Sequence, residues 1–163
     1  MFQKTTSESL PRKSNKTKKM VVMKPNFFNA MYSSPSILII EDDEDTRQMM
    51  RYLLQIWKYQ VVEATGSDEE ILQTATIHSP NLILISSQSR KNDNFTTIKR
   101  LREQFSEKTG IIFISGFSES SVHDSAIAAG ADDYLLKPID FGRLETMLES
   151  YLKKDNRQNE LAL

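Results

Sequence analysis

The chain contains no cysteine, which excludes disulfides, zinc sites built on thiolates and thiol chemistry. It also has no long hydrophobic run. Nothing approaches the ~18 apolar residues that a membrane span needs. Near the N-terminus, Met20–Met23 and Phe27–Phe28 are too short for the roughly 7–15-residue apolar region of a secretory signal. A soluble, cytoplasmic protein is expected. Glycine is scarce, with five in 163 residues and all of them beyond residue 65. A strong charge of one sign is missing too, because the net charge is only −1. That near-neutrality conceals an asymmetry. Residues 1–34 hold seven Lys/Arg against Glu8 alone, so +6 sits there, while the other 14 basic and 21 acidic residues give −7.

What remains is enough for one domain, with 39% hydrophobic and 26% charged residues. The first 34 residues are rich in Ser, Thr, Asn and Lys, carry Pro11 and Pro25, and show no apolar period. Composition favours a disordered, mobile tail, or a true start at Met20, Met23 or Met31, over a basic arm for nucleic acid or anionic lipid. From Ser36 the pattern changes. Short aliphatic runs stand at Ile37–Ile40, Leu82–Ile85, Ile111–Ile114 and Tyr134–Leu136, with a weaker one at Val61–Val62. Runs without alternation are the mark of strands covered on both faces. Between them, helices are predicted over Asp45–Trp57, Ser67–His78, Phe95–Phe105 and Glu119–Ala129, and a last one carries Leu144, Met147, Leu148 and Leu152. Ser67 and Glu70 have capping-box spacing, Ser118 and Asp140 are the expected caps of the last two helices, and Gly130 is placed for a left-handed C-cap. Five β-α units with right-handed crossovers make an α/β fold with a parallel sheet between two helical layers. One domain over residues 36–154, followed by a short tail at 155–163, is expected.

In such a sheet, ligands bind outside the carboxyl ends of the strands. Glu41-Asp42-Asp43-Glu44-Asp45 follows the first run, Ser86 the third, Ser115-Gly116 the fourth and Lys137-Pro138 the fifth. Each has an ordinary reading. An acidic run complements a helix N-terminus, Ser115 can cap a strand end, Lys137 can be a surface lysine and Tyr134 a strand aromatic. His78 and His123 share no ligand spacing and read as surface or helix-end residues.

The segments Ile37–Arg47, Ile112–Gly116 and Ala129–Pro138, in this order, resemble the receiver domain of bacterial two-component response regulators. The resemblance implies a flavodoxin-like (βα)5 fold with strand order 2-1-3-4-5. It implies an acidic pocket of Glu41, Asp42 and Asp43, with Glu41 and Asp42 as the pair that helps hold Mg²⁺ and Asp42 the direct ligand. It implies that Lys137 pairs with phosphoryl oxygens, that Ser115 bonds the phosphoryl group and draws its loop inward, and that Tyr134 changes rotamer in response. Gly116 would leave that site unobstructed, and the Lys137–Pro138 bond would be cis.

One departure changes the expected chemistry. Aligning Pro80–Ser86 with the family's third strand puts Ser86 where the phosphoacceptor Asp belongs. Asn81 stands where the family often has Asp, and the loop 87–94 lacks the usual Pro and Gly. The nearest downstream carboxylate, Asp93, reads as the N-cap of the third helix. A serine hydroxyl is neutral near pH 7 and needs a general base to act as a nucleophile. Losing one anionic ligand also weakens Mg²⁺ binding to weak or absent. The expectation is a degenerate, stand-alone receiver, not an enzyme and with no required cofactor. Its partners would be a histidine kinase or another response regulator, reached through the fourth helix, fifth strand and fifth helix. The alternatives are a conventional phosphoryl-accepting receiver using Ser86 or another residue, and nucleic-acid binding through the basic arm, which is the less favoured partner.

Overall fold

The structure, a computed structural model, describes residues 34–87, 94–105 and 108–161. The basic tail expected at 1–34, up to residue 33, and Asp93 itself lie outside the described residues. Five strands, β1 (Ser36–Ile40), β2 (Gln60–Ala64), β3 (Leu82–Ser87), β4 (Gly110–Ser115) and β5 (Asp133–Leu136), form one parallel sheet in the order β2-β1-β3-β4-β5. This is the flavodoxin-like order expected. Five helices connect and flank them: α1 (Glu44–Ile56), α2 (Asp68–His78), α3 (Phe95–Gln104), α4 (Ser120–Ala129) and α5 (Phe141–Leu161).

The uninterrupted apolar runs have a direct cause. Successive strand residues point to opposite faces, and both faces are covered. Ile37, Ile39, Leu82, Leu84, Ile112 and Ile114 pack with Met50 and Leu54 of α1 and Leu144, Leu148 and Leu152 of α5. Leu38, Ile40, Ile83, Ile85, Ile111 and Phe113 pack with α2, α3 and α4 through Ile71, Ala75, Ile98, Leu101 and Ala126. The weak run at Val61–Val62 is β2, an edge strand in which Gln60 is exposed, Val61, Val62 and Glu63 are half-buried and only Ala64 at its end is buried.

Helix ends follow the sequence signals at some places and not at others. Ser67 and Glu70 make the capping box, with the Ser67 N–H donating to Glu70 Oε2 at 2.9 Å. Asp140 Oδ1 accepts from the Arg143 N–H at 3.0 Å. Gly130 ends α4 at φ +116°, a conformation that disfavours any Cβ. Two caps differ from expectation. The N-cap of α4 is Glu119, not Ser118, because the Glu119 carbonyl already accepts from Val122 and His123. The cap of α3 is Asn94, not Asp93; its backbone is left-handed at φ +53°, and its side chain donates to the Ser86 carbonyl at 2.8 Å instead of capping the helix. The last helix runs to Leu161.

Candidate functional site

Parallel strands bring all their carboxyl ends to one edge of the sheet. Ser86 pairs with Ile114 across β3 and β4, Ser87 with Ser115, and Ser115 with Leu136 across β4 and β5. The turn after β5 carries the Lys137–Pro138 bond, which is cis. The Lys137 N–H donates to the Ser115 carbonyl at 2.8 Å, so the lysine is held at the centre of the edge.

Glu41 is the best anchored of the expected residues. Its side chain is fully buried. Oε2 accepts from Lys137 Nζ at 2.9 Å and Oε1 from the Asp43 N–H at 3.0 Å. Burial pushes this carboxyl upward, but the Ser86 hydroxyl beside it, the Lys137 ammonium and the Asp43 N–H together outweigh burial and hold it below the usual carboxylate range. Arg47 donates to the Glu41 carbonyl at 2.7 Å, fixing the backbone as well.

Asp42 and Asp43 do different jobs. Asp43 is the N-cap of α1, its Oδ1 accepting from the Thr46 N–H at 2.9 Å and hydroxyl at 2.6 Å, and these bonds lower its pKa. Asp42 is exposed. The acidic run is therefore split, with one carboxylate in the interior, one on the helix end and one in solvent.

The expected residues do not converge on a single pocket. One recess is lined by Asp43, Thr46, Ser87, Gly116 and Lys137. A second, more polar one is lined by Glu41, Asp42, Gly66, Asp68, Ser86 and Asn94. The Glu41–Lys137 pair joins the two. A Cβ at Gly116 would meet nothing within 4 Å, consistent with an open first recess. Ser87, Thr46, Asp68 and Asn94 were not among the expected site residues. Ser87 carried a signal, since β3 runs on past its aliphatic stretch; the other three are placed by tertiary packing alone.

Ser86 is buried, 6% exposed, and its Oγ has no hydrogen-bond partner of normal geometry among the described residues. Ser115 is fully buried and its Oγ accepts from the Phe117 N–H at 3.1 Å, so it serves its own loop. The Tyr134 hydroxyl donates to the Phe117 carbonyl, and its ring lies between Phe113 and His123 at centroid distances of 5.8 and 5.4 Å. Both ends of the loop at Phe117 are thus tied down. His123 enters only as this ring contact and as a partner of Asp124.

Mg²⁺ takes octahedral oxygen ligands, commonly one or two carboxylates with several waters. The donors here fit it poorly. Glu41 has both oxygens engaged by N–H donors, Ser86 contributes no charge, and only Asp42 is open. Among the described residues no three of His, Cys, Asp and Glu are grouped so as to hold a metal.

A family model described as the response regulator receiver domain matches residues 37–149. Transcriptional regulatory protein MalR of Bacillus subtilis is 33% identical over 120 residues, 73% of this chain and 51% of its own length. KDP operon transcriptional regulatory protein KdpE of Escherichia coli is 33% identical over 119 residues, 73% of this chain and 52% of its own. The chain spans about half the length of these relatives. Among solved structures, a two-component response regulator from Clostridium difficile superposes with a TM-score of 0.68 at 24% identity, covering 76% of this chain and 99% of that one. A CheY-like receiver domain protein from Methanospirillum hungatei gives a TM-score of 0.68 at 20% identity, over 77% and 99%. The sheet order, the charged edge and the match over residues 37–149 agree, and the chain belongs to the response-regulator receiver-domain family of two-component signalling.

Proposed function

We infer that this receiver does not accept a phosphoryl group and signals through protein contacts. The observation that carries the reading is Ser86, a neutral side chain at the end of β3 where the resemblance puts the acceptor carboxylate. Its Oγ is buried, and no described histidine lines either recess. Glu41, the nearest carboxylate, is held ionised by Lys137 and cannot both keep that pair and take a proton from Ser86. Lys137 would in turn have to leave Glu41 before it could meet phosphoryl oxygens. With Lys137 and Glu41 satisfying each other, the pocket is neutralised without a divalent cation. The partners on this reading are a histidine kinase or another response regulator in the cytoplasm. The contact face is that of α4, β5 and α5.

Mass spectrometry after incubation with a small acyl phosphate and magnesium tests this. The expected result is an unmodified chain; a phosphoryl adduct on Ser86, or on any residue of the two recesses, defeats it. A second reading is favoured by the +6 charge of residues 1–34 and by the relatives' names as transcriptional regulators. On that reading the arm contacts nucleic acid. Binding to duplex DNA that weakens with salt and disappears when residues 1–34 are deleted would establish it.

A further inference from the structure

Helix α1 carries a second apolar stripe besides the one that enters the core. Met49, Tyr52 and Ile56 are 44%, 60% and 69% exposed. Their spacing of three and four residues aligns them along one side of the helix, distinct from the Met50 and Leu54 side. Single exposed apolar residues are ordinary. The other large ones among the described residues, Ile77, Ile127 and Leu136, are scattered over α2, α4 and β5. A row of three at coiled-coil spacing is different, because it is the pattern that a second helix covers at a shallow crossing angle.

Charge indicates which helix. Asp45 lies one turn before Met49, and Lys58 lies just beyond Ile56. Both are exposed, and neither side chain has a partner among the described residues. The ends of the stripe are therefore an unpaired anion and an unpaired cation. A parallel neighbour of the same sequence would set like charges together. An antiparallel one, related by a two-fold axis near Tyr52, sets Met49 against Ile56 and brings Asp45 of each copy within reach of Lys58 of the other. We propose that the outer face of α1 is a self-association surface on which a second copy of this chain packs antiparallel, with Asp45–Lys58 pairs closing both ends. Such a contact is isologous and closes on itself. Three apolar side chains per copy bury less than the ~1,200 Å² of a standard stable interface, so the dimer forms reversibly and depends on concentration. Its exposed end pairs make it sensitive to salt. The proposal is independent of whether Ser86 accepts a phosphoryl group.

Sedimentation velocity of the full chain, from about 10 µM to about 1 mM, reads the association directly. The natural protein should shift from monomer toward dimer across this range. Tyr52→Glu should abolish the shift, whereas Ile77→Glu, the same kind of change on α2, should leave it intact. Asp45→Lys and Lys58→Asp should each weaken association several-fold, and the double exchange should restore it. Circular dichroism of each variant should match the natural protein. The proposal is overturned by a monomer at every concentration, by equal behaviour of Tyr52→Glu and Ile77→Glu, or by a double exchange as weak as the single ones.

Discussion

Replacing Lys137 with Met isolates the interaction on which the site depends. The substitution removes the ammonium but keeps most of the aliphatic stem. Glu41, with its side chain fully buried, then loses its ammonium partner while the Asp43 N–H and the neighbouring Ser86 hydroxyl remain. Removing one partner of a buried pair costs about 3–5 kcal/mol. The Lys137 side chain is 22% exposed, so water offsets part of the loss and about 2–3 kcal/mol is expected. For a domain of this size that corresponds to a fall in Tm of roughly 6–15 °C. The effect has a pH signature. In the natural protein Glu41 is held below its usual range, so the pair's stabilisation is fully present above the unfolded carboxyl's pKa and is lost as pH falls through the lower folded value. In the variant, burial is opposed by the Ser86 hydroxyl and the Asp43 N–H but no longer by the ammonium, so the folded pKa rises relative to the natural protein. The penalty is then absent when the carboxyl is protonated in both states, and it grows as pH rises past the unfolded value. The stability gap should be smallest in acid, below the lowered folded value, and complete by about pH 7. Urea titrations of both proteins across that range measure it. Adding Glu41→Gln to the variant should recover most of the loss at neutral pH. A gap that stays constant from acid to neutral pH would mean that the buried carboxylate is not its source.

Ser86→Asp adds a carboxylate beside Glu41, a repulsion of at most about 4 kcal/mol at ~4 Å that Lys137 and water reduce; the variant should melt below the natural protein in chelator. Magnesium should reverse this by about 2.7 kcal/mol at a hundredfold excess over Kd, while the natural protein's Tm should hardly move; equal responses would refute the placement of Ser86 beside the acidic pair. Gly130→Ala forces a Cβ into a left-handed backbone 2.8 Å from Arg102 Cβ, and should destabilise by at least about 1 kcal/mol in denaturant titration. An unchanged midpoint would mean that α4 ends differently. Tyr134→Phe removes the donor to the Phe117 carbonyl and should cost about 1 kcal/mol while raising amide exchange across residues 116–119. Unchanged exchange there would show that the loop is held by other contacts.

The elements of this protein were legible because they are local. Short β-branched aliphatic runs bounded by polar and turn residues read as strands buried on both faces, the Ser67–Glu70 spacing made the box it suggested, and Gly130 took the left-handed end that its position required. The sheet order followed from the resemblance and from right-handed crossovers. The residues expected at the sheet edge were also visible in sequence, since they follow apolar runs; Thr46, Asp68 and Asn94 carried no such signal. The pairings among them were not. Lys137 and Glu41 are 96 positions apart, and nothing near either residue indicates that the lysine neutralises this carboxylate and not Asp42. Asp43 was grouped with its neighbours by charge, yet it is spent on the Thr46 N–H and hydroxyl. The separation of Ser86 and Ser87 into two recesses, and the use of Asn94 on a strand carbonyl instead of its helix, depend on the directions of side chains at a strand end. Hydrophobic periodicity encodes which face a residue takes, because burial acts on every residue of a run. Partner choice among polar groups is decided by ångström distances across the assembled sheet edge, and only the tertiary structure sets those.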